Sequence, residues 1–477
     1  MQCLQSPSKS QLPSRLSNLV IVVSSVCLVY LLLSLILVGS SKYIDLSSVA
    51  SGEVYDPTTL EHIVFGIASN ENSWPRRKEY VKLWWEPRQM RGCVFLESMP
   101  EDTNSYNDNS SLPPVCVSAD TSRFRYTFRN GLRSAIRVAR VVVETVALNH
   151  SNVRWYVFGD DDTVFFPENL VKTLSKYDHG LWYYLGTNSE IYEQNRIFGF
   201  EMAFGGAGFA ISYPLAKVLA KTFDSCIQRY PHLYGSDSRI YSCMAELGIG
   251  LTREPGFHQM DVRGDIFGLL TSHPVTPLVS LHHFDYVNPI FPNMTTLKAL
   301  ELLLRAVKVD SLRILQRTIC YDRWFSWTIS VSWGYAIEVY GNHVRLPDLL
   351  PAQQTFNQWK QGNTLAGVYT FNTRVDQAHP DPCRRPTIFF LDRLEVDSAE
   401  GFITSHYKKS YVNCSHDATA SPRKLDEIKV LSKKLHLSVN QLRAPRRHCC
   451  DVLPSSVGNV MEIGIRECGG EELIHMH

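Results

Sequence analysis

The segment 155–165, with the sequence WYVFGDDDTVF, limits the fold most strongly, because an apolar run leads directly into three carboxylates. Its first four residues are aromatic or β-branched, which predicts a strand buried on both faces. Gly159 breaks this pattern and is followed by Asp160, Asp161 and Asp162. In open α/β sheets, ligands bind outside the carboxyl ends of the strands. The segment therefore predicts a ligand site at that edge of a sheet.

The three adjacent acids themselves indicate a bound cation. Like charges this close repel one another unless a cation lies among them. A hard divalent ion such as Mg²⁺ or Mn²⁺ prefers oxygen ligands and commonly bridges protein carboxylates to substrate phosphates. A solvated acidic turn is the alternative interpretation. The strand that precedes the acids and the motifs that follow them favour the metal site.

The segments around this strand alternate between the period of two residues typical of strands and the period of 3.6 residues typical of helices. A basic, aromatic helix is predicted after the first strand, beginning near Pro75 and ending before Pro87. A long amphipathic helix with a buried face that includes Leu132 and Ile136 precedes the acidic strand. This alternation predicts an α/β domain with a mostly parallel sheet and helices on both faces. The predicted strands are 62–69, 93–96 and 115–117, and the predicted helices are 75–85 and 128–148.

The pattern changes after about residue 310. The stretch 327–340 alternates with period two, and 368–371 and 387–391 are further apolar runs typical of strands. We expect a β-rich C-terminal module at 311–477, following an α/β domain at 61–310. Because no site signature lies in the module, a stabilising appendage is favoured over a carbohydrate- or partner-binding unit.

The N-terminal segment predicts a membrane anchor. Residues 19–38 carry no charge and are long enough to span a bilayer as a helix. Lys9 and Arg15 lie in the preceding tail (1–18), which weakly favours a cytoplasmic N-terminus. A cleaved signal peptide is the alternative, but the apolar run is too long and no clean cleavage site follows closely. We expect a single transmembrane signal anchor, then a polar stem at 39–60.

Cysteines and glycosylation sequons agree with a lumenal body. Ten cysteines follow the predicted span without the paired spacing of a zinc site, so disulfides are expected in an oxidising compartment. Cys93 with Cys116, and Cys226 with Cys243, are plausible local pairs. The connectivity of the later cysteines stays open; these are Cys320, Cys383, Cys414, Cys449, Cys450 and Cys468. Four Asn-x-Ser/Thr sequons begin at Asn109, Asn149, Asn293 and Asn413.

The charge balance excludes one class of partner. The formal net charge is +1, so no basic excess exists to neutralise a nucleic-acid backbone. Nucleic acid is therefore not an expected partner.

Three motifs downstream of the acids carry further candidate site residues. The segment 204–212 is rich in glycine, which permits a close approach of the backbone to a ligand. Asp237 lies at a predicted loop-to-helix junction, where it is either an N-cap or a general base. His258 and the pair His282 and His283 supply imidazoles. Such residues are more often structural, but an imidazole beside carboxylates suits Mn²⁺.

In order along the chain, WYVFGDDDTVF, FGGAGFAIS, YGSDSRI and EPGFHQ resemble the fringe-like β-1,3-glycosyltransferases of glycosyltransferase family 31. In the C-terminal half, SVSWGYAIEVY, YTFNTR, DPCRRP and IFFLD are similar to the plant fringe-related subgroup, whose members share a domain of unknown function. The resemblance implies a GT-A nucleotide-sugar-binding (Rossmann-like) fold over roughly residues 61–290. It also implies a type II Golgi membrane location and a Mn²⁺-dependent, inverting transfer.

The resemblance also implies roles for individual residues. It makes Asp162 and His258 metal ligands, with His282 and His283 as alternatives to His258, and it makes Asp237 the catalytic base. This family often has two acids where the chain has Ser236 and Asp237. The remaining candidates are expected to contact the nucleotide sugar; they are Ser69, Arg77, Asp160, Asp161, Gly206 and Gly208.

These residue types fit a single-displacement sugar transfer. A bound cation would neutralise the charge that develops on the diphosphate leaving group. Asp237 would accept the proton of the attacking acceptor hydroxyl, and attack opposite the leaving group inverts the anomeric centre.

The expected partners are a UDP-sugar, a glycan or glycoprotein acceptor, the membrane and other Golgi transferases. A catalytically silent glycan-binding or scaffolding protein is the alternative from a different class. A hydrolase with Asp162 and Asp237 as paired carboxylates is disfavoured, because an acid triplet at a strand end suits metal–diphosphate binding better.

Overall fold

A computed structural model of the chain describes residues 14–39, 57–99, 111–359, 367–374, 383, 385–397, 401–412, 414 and 421–474. The chain divides into two compact units, Met1–Pro57 and Thr58–His477. The first unit contains helix α1 (Ser14–Gly39).

The predicted membrane anchor at 19–38 lies inside α1. Among the described residues, no helix has both the length and the apolarity needed to cross a membrane. The structure therefore does not confirm the anchor. Most of the predicted tail (1–18) and stem (39–60) lies outside the described residues.

The second unit begins with an α/β region that contains eleven strands and eight helices among its described residues. The strands are β1 (Ile63–Ala68), β2 (Arg91–Leu96), β3 (Val115–Val117), β4 (Trp155–Asp160), β5 (Val164–Phe165), β6 (Tyr184–Gly186), β7 (Phe209–Ser212), β8 (Thr252–Arg253), β9 (Phe257–His258), β10 (Val262–Gly264) and β11 (Ser280–Leu281). The helices are α2 (Trp74–Trp84), α3 (Ser134–Ala147), α4 (Pro167–Leu174), α5 (Tyr192–Phe198), α6 (Tyr213–Ile227), α7 (Ser236–Glu246), α8 (Phe267–Leu270) and α9 (Thr296–Val309). A 3₁₀ turn (Leu60–His62) precedes β1, and another (Ser311–Arg313) follows α9.

The central sheet confirms the predicted α/β architecture. Its strand order is β3-β2-β1-β4-β7-β6-β8, and β1 to β4 are parallel to one another. The strand β7 pairs antiparallel with both β4 and β6, so the sheet is mixed. Strands β5, β11 and β9 form a separate three-stranded sheet.

The strand β4 is buried on both faces, as its apolar run predicts. Trp155 and Val157 belong to one hydrophobic cluster, and Tyr156 and Phe158 belong to the other. Because side chains alternate across a strand, a strand between two cores needs an apolar residue at every position. The acids follow directly at the carboxyl end of this strand.

The helix α3 is shorter than predicted. It begins at Ser134, whereas the sequence pattern placed its start at residue 128. Asn130 has φ 61°, a left-handed conformation that an α-helix cannot include, so the chain turns before the helix begins. Leu132 consequently lies outside the helix and is exposed, although Ile136 is buried as expected.

The C-terminal half is rich in β structure, as predicted. Its strands are β12 (Arg317–Tyr321), β13 (Thr328–Ser332), β14 (Ala336–Tyr340), β15 (Ala352–Gln353), β16 (Phe356–Gln358), β17 (Thr373–Arg374), β18 (Thr387–Val396), β19 (Phe402–Lys409), β20 (Glu427–Lys433), β21 (Cys449–Leu453) and β22 (Val460–Arg466). Short helices α10 (Leu346–Leu349) and α11 (Val439–Arg443) and a 3₁₀ turn (Pro422–Lys424) connect them. Eight strands form one sheet in the order β12-β13-β14-β18-β19-β20-β22-β21. The alternating stretch 327–340 is a hairpin of β13 and β14 that turns at Gly334, whose φ is 76°.

The α/β region and the β-rich region share a core. One hydrophobic cluster contains Ile63 of β1 and Ile465 of β22, and Phe267 of α8 packs on Tyr335 of the hairpin. In addition, β10 pairs antiparallel with β16, which joins the two regions by backbone hydrogen bonds. The boundary near residue 310 stays a prediction.

Five disulfides lie in the second unit. Cys93–Cys116 and Cys226–Cys243 confirm the two predicted local pairs. The later cysteines, whose connectivity the sequence left open, pair as Cys320–Cys450, Cys383–Cys414 and Cys449–Cys468. The Cys320–Cys450 bridge joins β12 to β21, the two outermost strands of the eight-stranded sheet.

Removal of the Cys320–Cys450 bridge is expected to destabilise the protein by about 2–5 kcal/mol, because the bridge closes a long loop in the unfolded chain. Its cysteines are 130 residues apart, against 31 for Cys383 and Cys414. Double replacement by alanine at each bridge, followed by urea denaturation, measures both losses. We expect the loss at the shorter loop to be smaller by about 1 kcal/mol. A larger loss at Cys383–Cys414 would contradict this.

Candidate functional site

The three acids occupy different environments at the end of β4. Asp160 is the last residue of the strand, and its side chain is 39% exposed. Asp161 and Asp162 follow in a turn, with side chains 3% and 2% exposed. The hydroxyl of Thr163 accepts a hydrogen bond from the backbone N–H of Asp160 at 2.9 Å and so fixes the turn. The acids therefore take separate roles.

Asp161 is held by residues from the end of β1 and the start of α2. Ser69 Oγ donates to its Oδ2 at 2.7 Å, Ser73 Oγ donates to the same oxygen at 2.5 Å, and Arg77 donates to its Oδ1 at 3.0 Å. Burial raises the pKa of Asp161, although the two serine hydrogen bonds oppose the shift. With this many partners inside the protein, Asp161 positions neighbouring groups.

Arg77 connects three carboxylates. Its guanidinium lies 3.0 Å from Asp161 Oδ1, 3.0 Å from Asp162 Oδ2 and 2.9 Å from Asp285 Oδ2. Burial alone would lower the pKa of Arg77, but Asp162 and Asp161 raise it above its ordinary value. Tyr80 OH donates to the other oxygen of Asp285 at 3.0 Å. The site therefore contains a permanent positive charge next to Asp162.

Asp160, Asp162 and His282 form the group best suited to a metal. One ligand atom from each lies within 4.8 Å of the others. His282 Nε2 is 3.1 Å from Asp162 Oδ1 and 3.8 Å from Asp160 Oδ2. Asp162 Oδ2 is buried and lies 3.0 Å from Arg77, which leaves Oδ1 as the oxygen nearest His282. Two carboxylates and one imidazole fit a divalent cation such as Mn²⁺.

The electrostatics of this group favour a cation. Burial alone would lower the pKa of His282, but the charges of Asp162 and Asp160 raise it to about 9. Burial would raise the pKa of Asp162, whereas His282 and Arg77 hold it well below its ordinary value. Desolvation by the surrounding protein and the other acids raise the pKa of Asp160 to about 7, although its side chain is 39% exposed and His282 opposes the shift. A metal ion would replace the proton on His282 Nε2.

The glycine-rich loop after α5 packs directly on His282. A Cβ at Gly206 would lie 2.0 Å from His282 Cε1, so only glycine leaves room for the ring. Gly208 has φ 83°, which favours glycine, and Ala207 N donates to Gln259 Oε1 at 2.7 Å. Gln259 O in turn lies 3.2 Å from His282 Nδ1. The structure thus places Gly206 against His282 of the metal-capable group, whereas Gly208 packs on Phe165.

Gly206→Ala is expected to displace the His282 ring and to weaken Mn²⁺ binding ~10–100-fold or more, as the loss of a supporting group typically does. Calorimetric titration with Mn²⁺ alone measures this. Gly250→Ala is the matched control, since a Cβ there meets nothing within 4 Å. Unchanged Mn²⁺ affinity in Gly206→Ala would contradict the role of His282.

Asp237 lies at the first turn of α7, next to the same loop. Its carboxylate accepts hydrogen bonds from the backbone of Gly205 and from Ser236 Oγ, the latter at 3.0 Å. Burial raises the pKa of Asp237 despite these bonds. Asp237 and Asp160 line one small cavity, and the negative charge of Asp237 contributes to the raised pKa of Asp160. The structure therefore places Asp237 close to Asp160, and its role as the base stays a prediction.

The structure does not bring His258 to the acids. His273 Nε2 lies 2.9 Å from the carbonyl of Thr276, so it carries the proton and donates. His273 Nδ1 therefore accepts from His258 Nε2 at 2.9 Å, and His258 Nδ1 faces Glu190 at 3.5 Å. Burial and His258 lower the pKa of His273 to about 3, so this ring is neutral. Of the imidazoles that the sequence offered as ligands, His282 is the one that the structure groups with Asp160 and Asp162.

Sequence reasoning missed several residues of the site. Ser73 and Asp285 hold Asp161 and Arg77. Trp359, which follows β16 in the C-terminal half, stacks on His283 with ring centroids 4.5 Å apart. His283, which the sequence did offer as an alternative ligand, lies against His282 with ring centroids 3.7 Å apart. The only sequence signal that could have identified Asp285 is its position close after the His282–His283 pair. Nothing in the sequence pattern marks Trp359.

The fold and the site define a mixed α/β protein with an acidic, metal-capable group at the carboxyl end of a parallel strand. A family model described as "Protein of unknown function, DUF604" matches residues 194–450, more than half of the chain. The chain belongs to this family. The match agrees with the expected shared domain of unknown function. No curated protein matches the chain.

Solved structures with some similarity to the chain include several glycosyltransferases. The galactosyltransferase LgtC, in complex with donor and acceptor sugar analogues, is 13% identical, with a TM-score of 0.32 over 50% of this chain and 91% of its own. Mouse xyloside xylosyltransferase 1 is 9% identical, with a TM-score of 0.29 over 43% and 86%. The mannosyltransferase PcManGT from Pyrobaculum calidifontis, with GDP-Man and Mn²⁺, is 14% identical, with a TM-score of 0.26 over 48% and 65%. These values do not assign a function to this chain.

Proposed function

We propose that this chain is an inverting, metal-dependent glycosyltransferase of the fringe-like type. It would move a sugar from a UDP-sugar to a hydroxyl of a glycan or glycoprotein and form a β-1,3 linkage. The observation that carries the proposal is the grouping of Asp160, Asp162 and His282 at the carboxyl end of β4, with ligand atoms within 4.8 Å of one another. This is the edge at which open α/β sheets bind nucleotides.

The metal ligands in this proposal are Asp162, His282 and Asp160. Mn²⁺ suits a mixed set of carboxylate and imidazole ligands. When bound, it would neutralise the charge that develops on the diphosphate leaving group. Arg77, 3.0 Å from Asp162, adds a second positive charge beside that group. Asp161 orients Arg77, and Ser69 in turn fixes Asp161.

Asp237 is the proposed catalytic base. A base must be close to the reacting centre and must have a pKa near the working pH. Asp237 shares a small cavity with Asp160, and burial raises its pKa above that of an ordinary aspartate. A carboxylate base combined with a metal-bound leaving group requires no covalent intermediate, so a single displacement inverts the anomeric centre.

We also propose that the protein acts in the lumen of the Golgi. Five disulfides agree with an oxidising compartment. Asn149 and Asn293, which begin two of the sequons, are exposed and available for glycosylation, while Asn109 and Asn413 lie outside the described residues. Membrane attachment through residues 19–38 stays a prediction from the sequence. Loss of glycosidase-sensitive mass in Asn149→Gln and Asn293→Gln variants tests the compartment.

Product analysis tests the proposed reaction. The full chain is incubated with Mn²⁺, a panel of UDP-sugars and a library of glycan acceptors, and products are analysed by mass spectrometry and NMR. We expect transfer from one donor, with a β-1,3 linkage from an α-linked UDP-sugar. A retained anomeric configuration would overturn the single displacement. Donor binding without transfer to any acceptor would favour a silent glycan-binding or scaffolding protein.

A further inference from the structure

A second cavity lies where the α/β region meets the β-rich region. We call it the junction cavity; its volume is about 520 Å³. Small-molecule sites commonly have volumes of ~300–1,000 Å³ and occur at such boundaries. Its walls come from Thr187 to Glu190, from His258 and His273, and from Pro347 and its neighbours together with Thr370 to Asn372.

The charges of the junction cavity exclude a phosphate ligand. Its lining includes one carboxylate, Glu190, and neither lysine nor arginine. Phosphate sites depend on positive side chains or on backbone N–H groups at helix N-termini. His273 is neutral, because burial and His258 lower its pKa to about 3. The junction cavity therefore suits an uncharged ligand, unlike the metal-capable site with its Arg77.

Three polar side chains of the junction cavity are accessible to a ligand. Thr187 and Asn188 are half-buried, and Asn372 is exposed. A hydroxyl and two carboxamides each offer both donors and acceptors. Sugar hydroxyls, which also donate and accept, are matched to such groups.

Other residues of the lining are apolar. Phe257 is buried, while Leu350 and Phe371 come from the β-rich region. Aromatic and aliphatic surfaces pack against the C–H faces of a pyranose ring, and polar side chains fix its orientation. The combination is that of a saccharide site.

The segment 258–261 separates the junction cavity from the metal-capable group. On the cavity side, Glu190 Oε2 accepts from Met260 N at 2.8 Å, and Ser189 Oγ donates to Asp261 at 2.5 Å. On the metal side, Gln259 O lies 3.2 Å from His282 Nδ1. A ligand in the junction cavity would therefore lie one backbone segment away from the reacting centre.

We propose that the junction cavity binds an uncharged saccharide unit of the acceptor glycan. That the saccharide belongs to an acceptor rests on the proposed transferase function. That the ligand is a saccharide rests on the residues that line the cavity. It gives the β-rich region a part in substrate recognition, because Leu350, Phe371 and Asn372 belong to that region.

Titration of the full chain with the methyl β-glycosides of galactose, glucose, N-acetylglucosamine and xylose tests the proposal, with UDP and Mn²⁺ titrated in parallel. We expect at least one glycoside to bind. Asn188→Trp, which fills the cavity, and Asn372→Ala should each weaken the binding of that glycoside about tenfold or more. A tenfold change corresponds to ~1.4 kcal/mol of binding free energy. Binding of UDP with Mn²⁺ should stay unchanged in both variants, which also reports that they are folded.

Asn440→Trp is the control, since Asn440 is exposed in α11 and does not line the junction cavity. The proposal is overturned if none of the four glycosides binds, or if binding is the same in Asn188→Trp and Asn372→Ala as in the wild type. If UDP with Mn²⁺ fails to bind while a glycoside binds in a cavity-dependent way, the transferase function fails and the saccharide site stands.

Discussion

An Asp162→Asn protein is expected to lose Mn²⁺-dependent binding of UDP. Asp162 is buried between His282, which lies 3.1 Å from its Oδ1, and Arg77, which lies 3.0 Å from its Oδ2. Asparagine keeps the shape of the side chain but removes the charge that a divalent cation needs. We expect a loss of more than the ~10–100-fold that follows from removal of an outer-shell partner. Calorimetric titration of UDP with saturating Mn²⁺ measures it.

The variant must be compared while it is folded. Removing one partner of a buried ion pair costs about 3–5 kcal/mol, so Asp162→Asn is studied at low temperature with circular dichroism as the check. Asp178→Asn is the matched control, because Asp178 is exposed and its hydrogen bond to Gly180 N can also be made by asparagine. Native affinity for UDP and Mn²⁺ in a folded Asp162→Asn protein would rule out Asp162 as a ligand.

The second large effect is expected for Asp237→Asn, which should reduce kcat by ~10²–10⁴-fold, the range for the loss of a general base. UDP binding with Mn²⁺ should be spared, because Asp237 is not in the metal-capable group. Asparagine can still accept the hydrogen bond that Gly205 makes to this side chain. Initial-rate measurements with the preferred donor separate kcat from KM.

The pH profile distinguishes a base from a structural residue. Because burial raises the pKa of Asp237, its carboxylate loses its charge at a higher pH than an ordinary aspartate does. A base must be ionised, so the wild-type kcat should fall as the pH is lowered through that pKa. This limb should be absent in Asp237→Asn. A wild-type-like rate in the variant, or an unchanged acid limb, would place the base elsewhere.

The fold around the site follows from local patterns in the sequence. The strand β4 is recognisable because both of its faces meet a core, which requires an unbroken apolar run. The length of α3 was misjudged because Asn130 adopts φ 61°, and apolar periodicity does not report a single left-handed residue. The disulfides Cys93–Cys116 and Cys226–Cys243 were predictable from short spacing, whereas Cys320–Cys450 joins strands that are distant in sequence.

The candidate site was predictable only in part. The acids and Asp237 are marked by adjacency to a strand end and to a helix start, both of which the sequence reveals. The choice between His258 and His282 was not predictable, since it depends on the hydrogen bond of His258 with His273 and on its contact with Glu190. Those contacts arise from tertiary packing. The same is true of Trp359, which reaches His283 through the pairing of β10 with β16.

The junction cavity changes the interpretation of the C-terminal half. The sequence favoured a stabilising appendage there, because no catalytic motif is present. The cavity instead combines Asn372 and Phe371 from that half with Glu190 and His258 from the α/β region. A site made of such residues leaves no pattern in either segment alone.

The most direct test of the account is calorimetric titration of the purified wild-type chain with UDP, with and without Mn²⁺. The grouping of Asp160, Asp162 and His282 predicts binding that requires Mn²⁺ and is lost when a chelator is added. Binding of UDP to the same extent without any divalent cation would contradict the metal site. The absence of UDP binding to a folded chain with intact disulfides would contradict the proposed transferase function itself.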